Sequence, residues 1–363
     1  MTRAPGDRGR QSVNAGNRTL DRRRPVTRGL LALVVPALIG VCAPAPTPAP
    51  RPVPMPPDAP TPVPVPAPRP AEGVVGGGAG DLRYRVVGDG PDTTLVPLGA
   101  WLEDSLVPLG GRHTLIFYDP RHRGGSHALV DSSAATFDGD VADVDAVRAF
   151  FDVSRVALIG YDYYAGVVAA WAAAHPKRVT RVVLLSPMEP ADSLASDWVP
   201  ASRLARLDTA AARSLVQWRA AGRDTTDPVA YCEAFWRVNA PLFMHDTARA
   251  GRLQPAWCSW PNEAPPRIAA AARPAVESLG PEANLGARAT GLAAPVLVIH
   301  GRDDLVANPA GAEEWARRSG DARLLWLRNT GHMPHLESAA TLRSALDFFL
   351  SGHWPPLAVL PDG

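Results

Sequence analysis

From about Asp81 onward, short apolar runs alternate with longer segments that repeat apolar residues at helical intervals. Leu82–Val87 alternates apolar and polar positions and stops at Gly88-Asp89-Gly90-Pro91, the composition of a turn. Thr94–Leu98, Thr114–Tyr118, Arg155–Ile159, Arg181–Leu185, Pro295–Ile299 and Arg323–Leu327 are compact apolar runs. Val141–Phe151, Ala165–His175, Ala310–Arg318 and Ala339–Leu350 carry the helical pattern. A strand buried on both sides has no polar face to display, so continuous apolar strands alternating with helices predict a mostly parallel sheet covered by helices. The expected fold class is therefore α/β.

The first seventy or so residues do not share this pattern. A basic cluster, Arg22–Arg28, precedes Gly29–Val41, an apolar run of about a dozen residues that is short for a membrane span. This predicts a signal segment over residues 1–42 and an exported protein, whether periplasmic, extracellular or lipid-anchored. Cys42 closes the run and is a candidate for lipid attachment, which would tether the chain to a membrane; Val41 stands where a small residue is usual. Proline then recurs at nearly every second position to Pro70, and Gly73–Gly80 is glycine-rich. Proline fixes φ and removes a donor, so residues 43–80 read as an extended linker. The folded domain is expected over 81–352, with 353–363 as a tail.

Between about Glu189 and Leu292 the strand–helix alternation stops. Ala, Arg and Trp at helical spacing, interrupted by prolines, predict a helical lid at about 190–292, over the carboxyl edge of the sheet. Cys232 and Cys258 lie inside it without nearby His or Cys partners. In an exported protein that favours a disulfide over a metal site. The charges, 37 basic against 36 acidic, give no basis for a nucleic-acid partner. No phosphate-cradling glycine loop or ligand cluster points to a cofactor or metal, so a small-molecule substrate is the expected partner. The pentapeptide LVPLG occurs at Leu95–Gly99 and Leu106–Gly110 in different contexts, with no longer repeat around it.

Candidate chemistry begins at Leu158-Ile159-Gly160-Tyr161-Asp162-Tyr163-Tyr164-Ala165-Gly166, a strand that turns sharply into a helix. Such a nucleophile elbow pushes one side chain out above the sheet, here Asp162, and requires a small residue two places earlier, here Gly160. Downstream, Asp304 follows one strand and His332 follows the next, in the order nucleophile, acid, histidine. His332 would be the base and Asp304 the group that orients it. Asp303 is one place early, Glu189 is a weaker substitute, and His335 reads as a lid or surface residue. Arg121 and Arg123 follow a strand in a loop where Asp119 ties down turn backbone.

From about Leu82 to Leu350 the chain resembles the α/β-hydrolase superfamily, and within it enzymes related to prolyl aminopeptidases. The stretches that carry the resemblance are Pro97–Leu102, Phe117–Gly124, the elbow, Ser186–Pro190, Cys258–Glu263 and Gly331–Pro334. It implies oxyanion donors at the Ala100 and Tyr163 backbone N–H groups, and an acid for an amine substrate at Glu263 in the lid. Trp101 and Tyr231 are candidate substrate contacts, Trp101 beside the oxyanion strand and Tyr231 in the lid. Relatives have serine where this chain has Asp162, and histidine where it has Leu98.

An aspartate nucleophile changes the expected reaction. Attack on a peptide or ester carbonyl would form a mixed anhydride, whereas attack on an sp3 carbon bearing a leaving group forms an alkyl ester that water can hydrolyse. The latter resembles epoxide hydrolases and haloalkane dehalogenases, which share the fold and carry aspartate at this position. Two alternatives stand beside it. One is a catalytically silent binding protein, in which the carboxylate occupies the oxyanion donors; the other is an aminopeptidase- or esterase-like hydrolase.

Overall fold

The computed structural model describes residues 70–76, 80–190, 201–253, 255–280 and 284–361. The expected signal segment and all but the end of the proline-rich stretch lie outside them. Eight strands form one sheet in the order β1-β2-β4-β3-β5-β6-β7-β8. They are β1 (Glu72–Val75), β2 (Leu82–Val87), β3 (Thr93–Pro97), β4 (Thr114–Tyr118), β5 (Val156–Tyr161), β6 (Val179–Leu185), β7 (Val296–Gly301) and β8 (Ala322–Leu327). β2 pairs antiparallel with β1 and β4, and every other pairing is parallel. This is the α/β-hydrolase fold with a helical insertion.

β1 corrects the expected boundary, because it lies inside the stretch read as linker. Gly73 and Val74 pair with Tyr84 and Arg83, and the Tyr84 hydroxyl donates to the Pro70 carbonyl at 3.3 Å. A half-exposed edge strand lacks the continuous apolar run that marked the buried ones.

The strand order reverses between β3 and β5. In an open parallel sheet the loops leaving the strands on either side of such a reversal diverge and leave a crevice at the carboxyl ends. Here those loops carry Leu98–Trp101 on one side and Asp162 on the other. Helices α1 (Gly99–Leu106), α2 (Phe137–Phe150) and α3 (Tyr163–Ala174) follow β3, β4 and β5. α3 is buried at Tyr163–Ala172 without a break, so it is apolar all round rather than along one stripe. This central helix fixes the elbow against a core made of the inner strands.

The insertion contains α4 (Thr209–Ala220), α5 (Pro228–Phe243) and α6 (Pro265–Glu277), with shorter turns between them. Asp208 caps α4 by accepting from Ala210 and Ala211 N–H at 3.0 Å each. A disulfide joins Cys232 in α5 to Cys258. Around it Trp236, Ala240, Met244 and Trp257 form a small apolar cluster that also takes in Met333, beside His332. The lid is therefore packed onto the loop that carries the histidine. Helices α7 (Pro309–Arg318) and α8 (Ala339–Leu350) complete the domain.

Candidate active site

Asp162 has φ 54° and ψ −126°, a conformation that side-chain-bearing residues rarely adopt. Three backbone hydrogen bonds hold it there. Its N–H donates to the Leu185 carbonyl at 3.1 Å, and its own carbonyl accepts from Ala165 at 3.1 Å and from Met188 at 3.4 Å. A Cβ at Gly160 would lie 2.4 Å from the Tyr164 carbonyl oxygen and 2.7 Å from the Ala165 Cα. Both are backbone atoms of α3 and cannot move aside alone. Gly160→Ala is accordingly expected to displace the elbow, lowering turnover by at least about tenfold and stability by about 1–3 kcal/mol. Steady-state kinetics and chemical denaturation of the variant check it, and unchanged values in both would show that the elbow tolerates a side chain.

The elbow, β7 and β8 bring three side chains together. His332 Nδ1 lies 2.8 Å from Asp304 Oδ2, and His332 Nε2 lies 3.6 Å from Asp162 Oδ1. Asp304 Oδ1 accepts from Val306 and Ala307 N–H at 2.7 and 3.0 Å, which fixes the carboxylate's orientation. His332 N–H donates to the Phe243 carbonyl at 2.7 Å, and the Tyr161 hydroxyl donates to the His332 carbonyl at 3.2 Å. Asp303 pairs instead with His245 at 3.2 Å, and Glu189 accepts from Asn308 N–H at 2.6 Å, at the start of α7. Neither competes for His332. His335 is buried edge-on to Tyr161, which places it in the core rather than on the surface.

Charge in this group is lopsided, with two carboxylates around one imidazole. Burial by itself lowers the His332 pKa, but Asp304 and Asp162 outweigh it and raise it to about 10. Burial likewise pushes Asp304 up, and His332 with His300 holds it below the ordinary aspartate value. His332 is thus an imidazolium at neutral pH. Asp162 is the exposed member, its side chain 39% accessible, whereas Asp304 and His332 are sealed.

Other expected site residues are placed differently. The Ala100 N–H donates to Asp119 Oδ1 at 2.8 Å, because α1 begins at Gly99 and Asp119 caps its exposed N–H groups. It is committed there and does not point at a reacting atom. Tyr163 opens α3, so its N–H has no partner within the helix. Glu263 is not a substrate contact. Its carboxylate accepts from Arg123 Nε and Nη2 at 3.0 and 2.8 Å, from Gly124 N–H at 2.7 Å and from Trp101 Nε1 at 2.6 Å. The Trp101 indole N–H is consumed by the same contact, and its ring stacks on Trp257 with centroids 4.4 Å apart. Tyr231 is buried in α5 and does not form part of the cavity wall.

Asp162 opens into a cavity of about 510 Å³, a size suited to a small molecule. Leu98, Trp101 and Met188 line it from the sheet edge, and Phe243, Ile268 and Val276 from the lid. Three tyrosines from the elbow also reach it, which adjacency in sequence did not resolve. The Tyr161 hydroxyl donates to the His332 carbonyl and that of Tyr163 donates to Asp140 at 2.9 Å. The Tyr164 hydroxyl faces the Arg123 guanidinium, and burial raises its pKa well above the usual phenol value, so it keeps its proton. Among the described residues, no group of three or more His, Cys, Asp or Glu side chains is arranged to hold a metal ion.

Geometry of this kind, an elbow after β5, an acid after β7 and a histidine after β8 under a helical lid, defines a hydrolase class. The sequence matches the family described as "alpha/beta hydrolase fold" over residues 95–339, and the chain belongs to that family. Similar solved structures include the esterase RhEst1 from Rhodococcus sp. ECU1013, 23% identical with a TM-score of 0.58, covering 78% of this chain and 99% of that one. An enol-lactonase from Burkholderia xenovorans LB400 is 22% identical with a TM-score of 0.52, covering 76% of this chain and 98% of that one. A bromoperoxidase from Bacillus anthracis is 17% identical with a TM-score of 0.55, covering 77% and 99%. Likeness at these identities speaks to the fold. No curated protein matches the sequence.

Proposed function

We propose that this hydrolase opens a small, largely apolar epoxide by covalent attack of Asp162, with His332 and Asp304 releasing the product. The observation that carries the reading is the single imidazole between two carboxylates. A serine relay needs a neutral histidine at rest, to take the hydroxyl proton. His332 is charged at rest, and a carboxylate nucleophile has no proton to lose.

Asp162 attacks a ring carbon, the C–O bond breaks, and the Tyr164 hydroxyl gives its proton to the departing oxygen. A proton then passes from His332 through solvent water to Tyr164. Esterification has removed one of the two charges that kept His332 protonated, so burial now favours the neutral base. Neutral His332 takes a proton from water, whose oxygen adds to the Asp162 carbonyl carbon. Collapse releases the diol and regenerates the Asp162 carboxylate and the His332 imidazolium. Acyl transfer from a substrate is less well supported, because attack of the Asp162 carboxylate on a carbonyl would form a mixed anhydride rather than an alkyl ester. A halide is less well supported too, since the Trp101 indole N–H is bound to Glu263.

Turnover of styrene oxide, 1-bromobutane, p-nitrophenyl acetate and an aminoacyl anilide by the natural chain and by Asp162→Ser tests the reading. Hydrolysis of styrene oxide by the natural chain alone is expected. Activity confined to the serine variant, on the ester or anilide, would instead mark a disarmed relative that binds without cleaving.

The basic and apolar start and the proline-rich stretch after it support an exported protein, tethered through Cys42. Cell fractionation of the full chain and of Cys42→Ser tests this. The natural chain is expected with membranes and the variant in the soluble exported fraction; cytoplasmic recovery of both would overturn it.

A further inference from the structure

The cavity that holds Asp162 is apolar along the lid and carries a second acid besides it. Asp140, in the first turn of α2, lines it while being only 6% exposed. Its Oδ2 accepts the Tyr163 hydroxyl at 2.9 Å, and among the described residues no other side chain donates to the carboxylate.

Every cation near Asp140 is already paired. Arg121 is bound bidentately to Asp143, through Nε at 3.0 Å and Nη2 at 2.5 Å. Arg123 is bound bidentately to Glu263. On the lid, Arg273 lines the cavity and pairs with Glu277 at 2.7 Å. His122, in the loop after β4, also lines the cavity, and burial lowers its pKa, so it is neutral. The hydroxyls of Tyr118, Tyr163 and Tyr164 remain protonated, because burial raises each. Asp140 is therefore a buried acid with no cation bound to it, Arg121 and Arg123 attracting it only from a distance. Burial and the neighbouring Asp143 carboxylate raise its pKa to about 7.

We propose that Asp140 is a recognition site for a protonated amine on a small apolar ligand that occupies the same cavity as Asp162. An ammonium group would supply the missing cation, and the ligand's carbon chain would lie along Ile268, Ala272 and Val276. The inference deepens the proposed function by naming a substrate class, and rests on that reading only in taking this cavity as the binding site. Tyr163 contributes by orienting the carboxylate from the residue next to the nucleophile.

Titration of Asp140 sets the pH dependence. An amine with a pKa near 10 stays charged from pH 6 to 8. Below about pH 7 the carboxyl is protonated and loses its attraction for the cation. Affinity for an alkylamine is accordingly expected to fall by roughly tenfold between pH 8 and pH 6, while that for the matching alcohol is unchanged.

Calorimetric titration of the full chain with n-hexylamine and with 1-hexanol, at pH 8 and pH 6, tests this without requiring turnover. At pH 8 the natural chain is expected to bind the amine at least about tenfold more tightly than the alcohol. Asp140→Asn should abolish that preference yet still bind 1-hexanol, which shows the cavity intact. Asp162→Asn should keep the preference, separating this site from the nucleophile. Equal affinity of the natural chain for both ligands, binding of neither, or a preference that survives in Asp140→Asn would overturn the proposal. A chain that prefers the amine but fails to open epoxides would overturn the proposed reaction and leave this site standing.

Discussion

Replacing His332 with alanine is expected to cut turnover by at least about 10³-fold while leaving the first covalent step in place. In the proposed mechanism Asp162 attacks without the help of a base, so alkylation by styrene oxide should proceed. Water then lacks a group to take its proton, and the ester on Asp162 persists. Intact-mass spectrometry of His332→Ala after exposure to styrene oxide should show a single adduct of the epoxide's mass, and a digest should place it on Asp162. Asp162→Asn should show none. The fold is expected to survive, because the lid bond at this position is made by the His332 backbone N–H rather than its ring. An adduct on another residue, or undiminished turnover in His332→Ala, would end the assignment of Asp162 as nucleophile.

Glu263→Ala is expected to destabilise the domain by about 3–5 kcal/mol, the cost of leaving one member of a buried ion pair alone. The pair is nearly sealed, with side-chain exposures of 10% for Arg123 and 0% for Glu263. Burial works against charge on Glu263, yet the Arg123 guanidinium and the Gly124 and Trp101 donors hold its pKa below the ordinary value. Removing the carboxylate strands a guanidinium, a backbone N–H and an indole N–H together. Urea denaturation of the natural chain and the variant measures the difference. A loss below about 1 kcal/mol would mean that water or a rearranged side chain satisfies those donors.

The inner strands, the elbow and the downstream order of acid and histidine were legible in sequence because each leaves a local mark. Strands buried on both faces are unbroken apolar runs, and an elbow needs a small residue at Gly160. β1 left no such mark, being half exposed and built around Gly73. The substrate-facing residues were harder for a different reason. Which way a side chain turns from a lid helix depends on tertiary packing, so Glu263 read as a substrate contact when it is an internal tie to Arg123. Ala100 and Asp119 are 19 residues apart, and nothing local to either announces their hydrogen bond. Asp140 reads as an ordinary acid in the first turn of a helix, where negative charge is favoured. Only the packing of Tyr163 and Asp143 around it reveals a carboxylate short of a cation.

Phe243 ends α5 of the lid, and its carbonyl accepts the His332 backbone N–H at 2.7 Å. Gly331 lets the two segments come that close, since a Cβ there would lie 2.5 Å from the same carbonyl oxygen. Cover and base are thus one mechanical piece. If α5 swings outward, the histidine loop loses its anchor at the moment the cavity meets bulk water. On the proposed mechanism, an ester on Asp162 would then meet its activated water best while α5 holds the histidine loop in place.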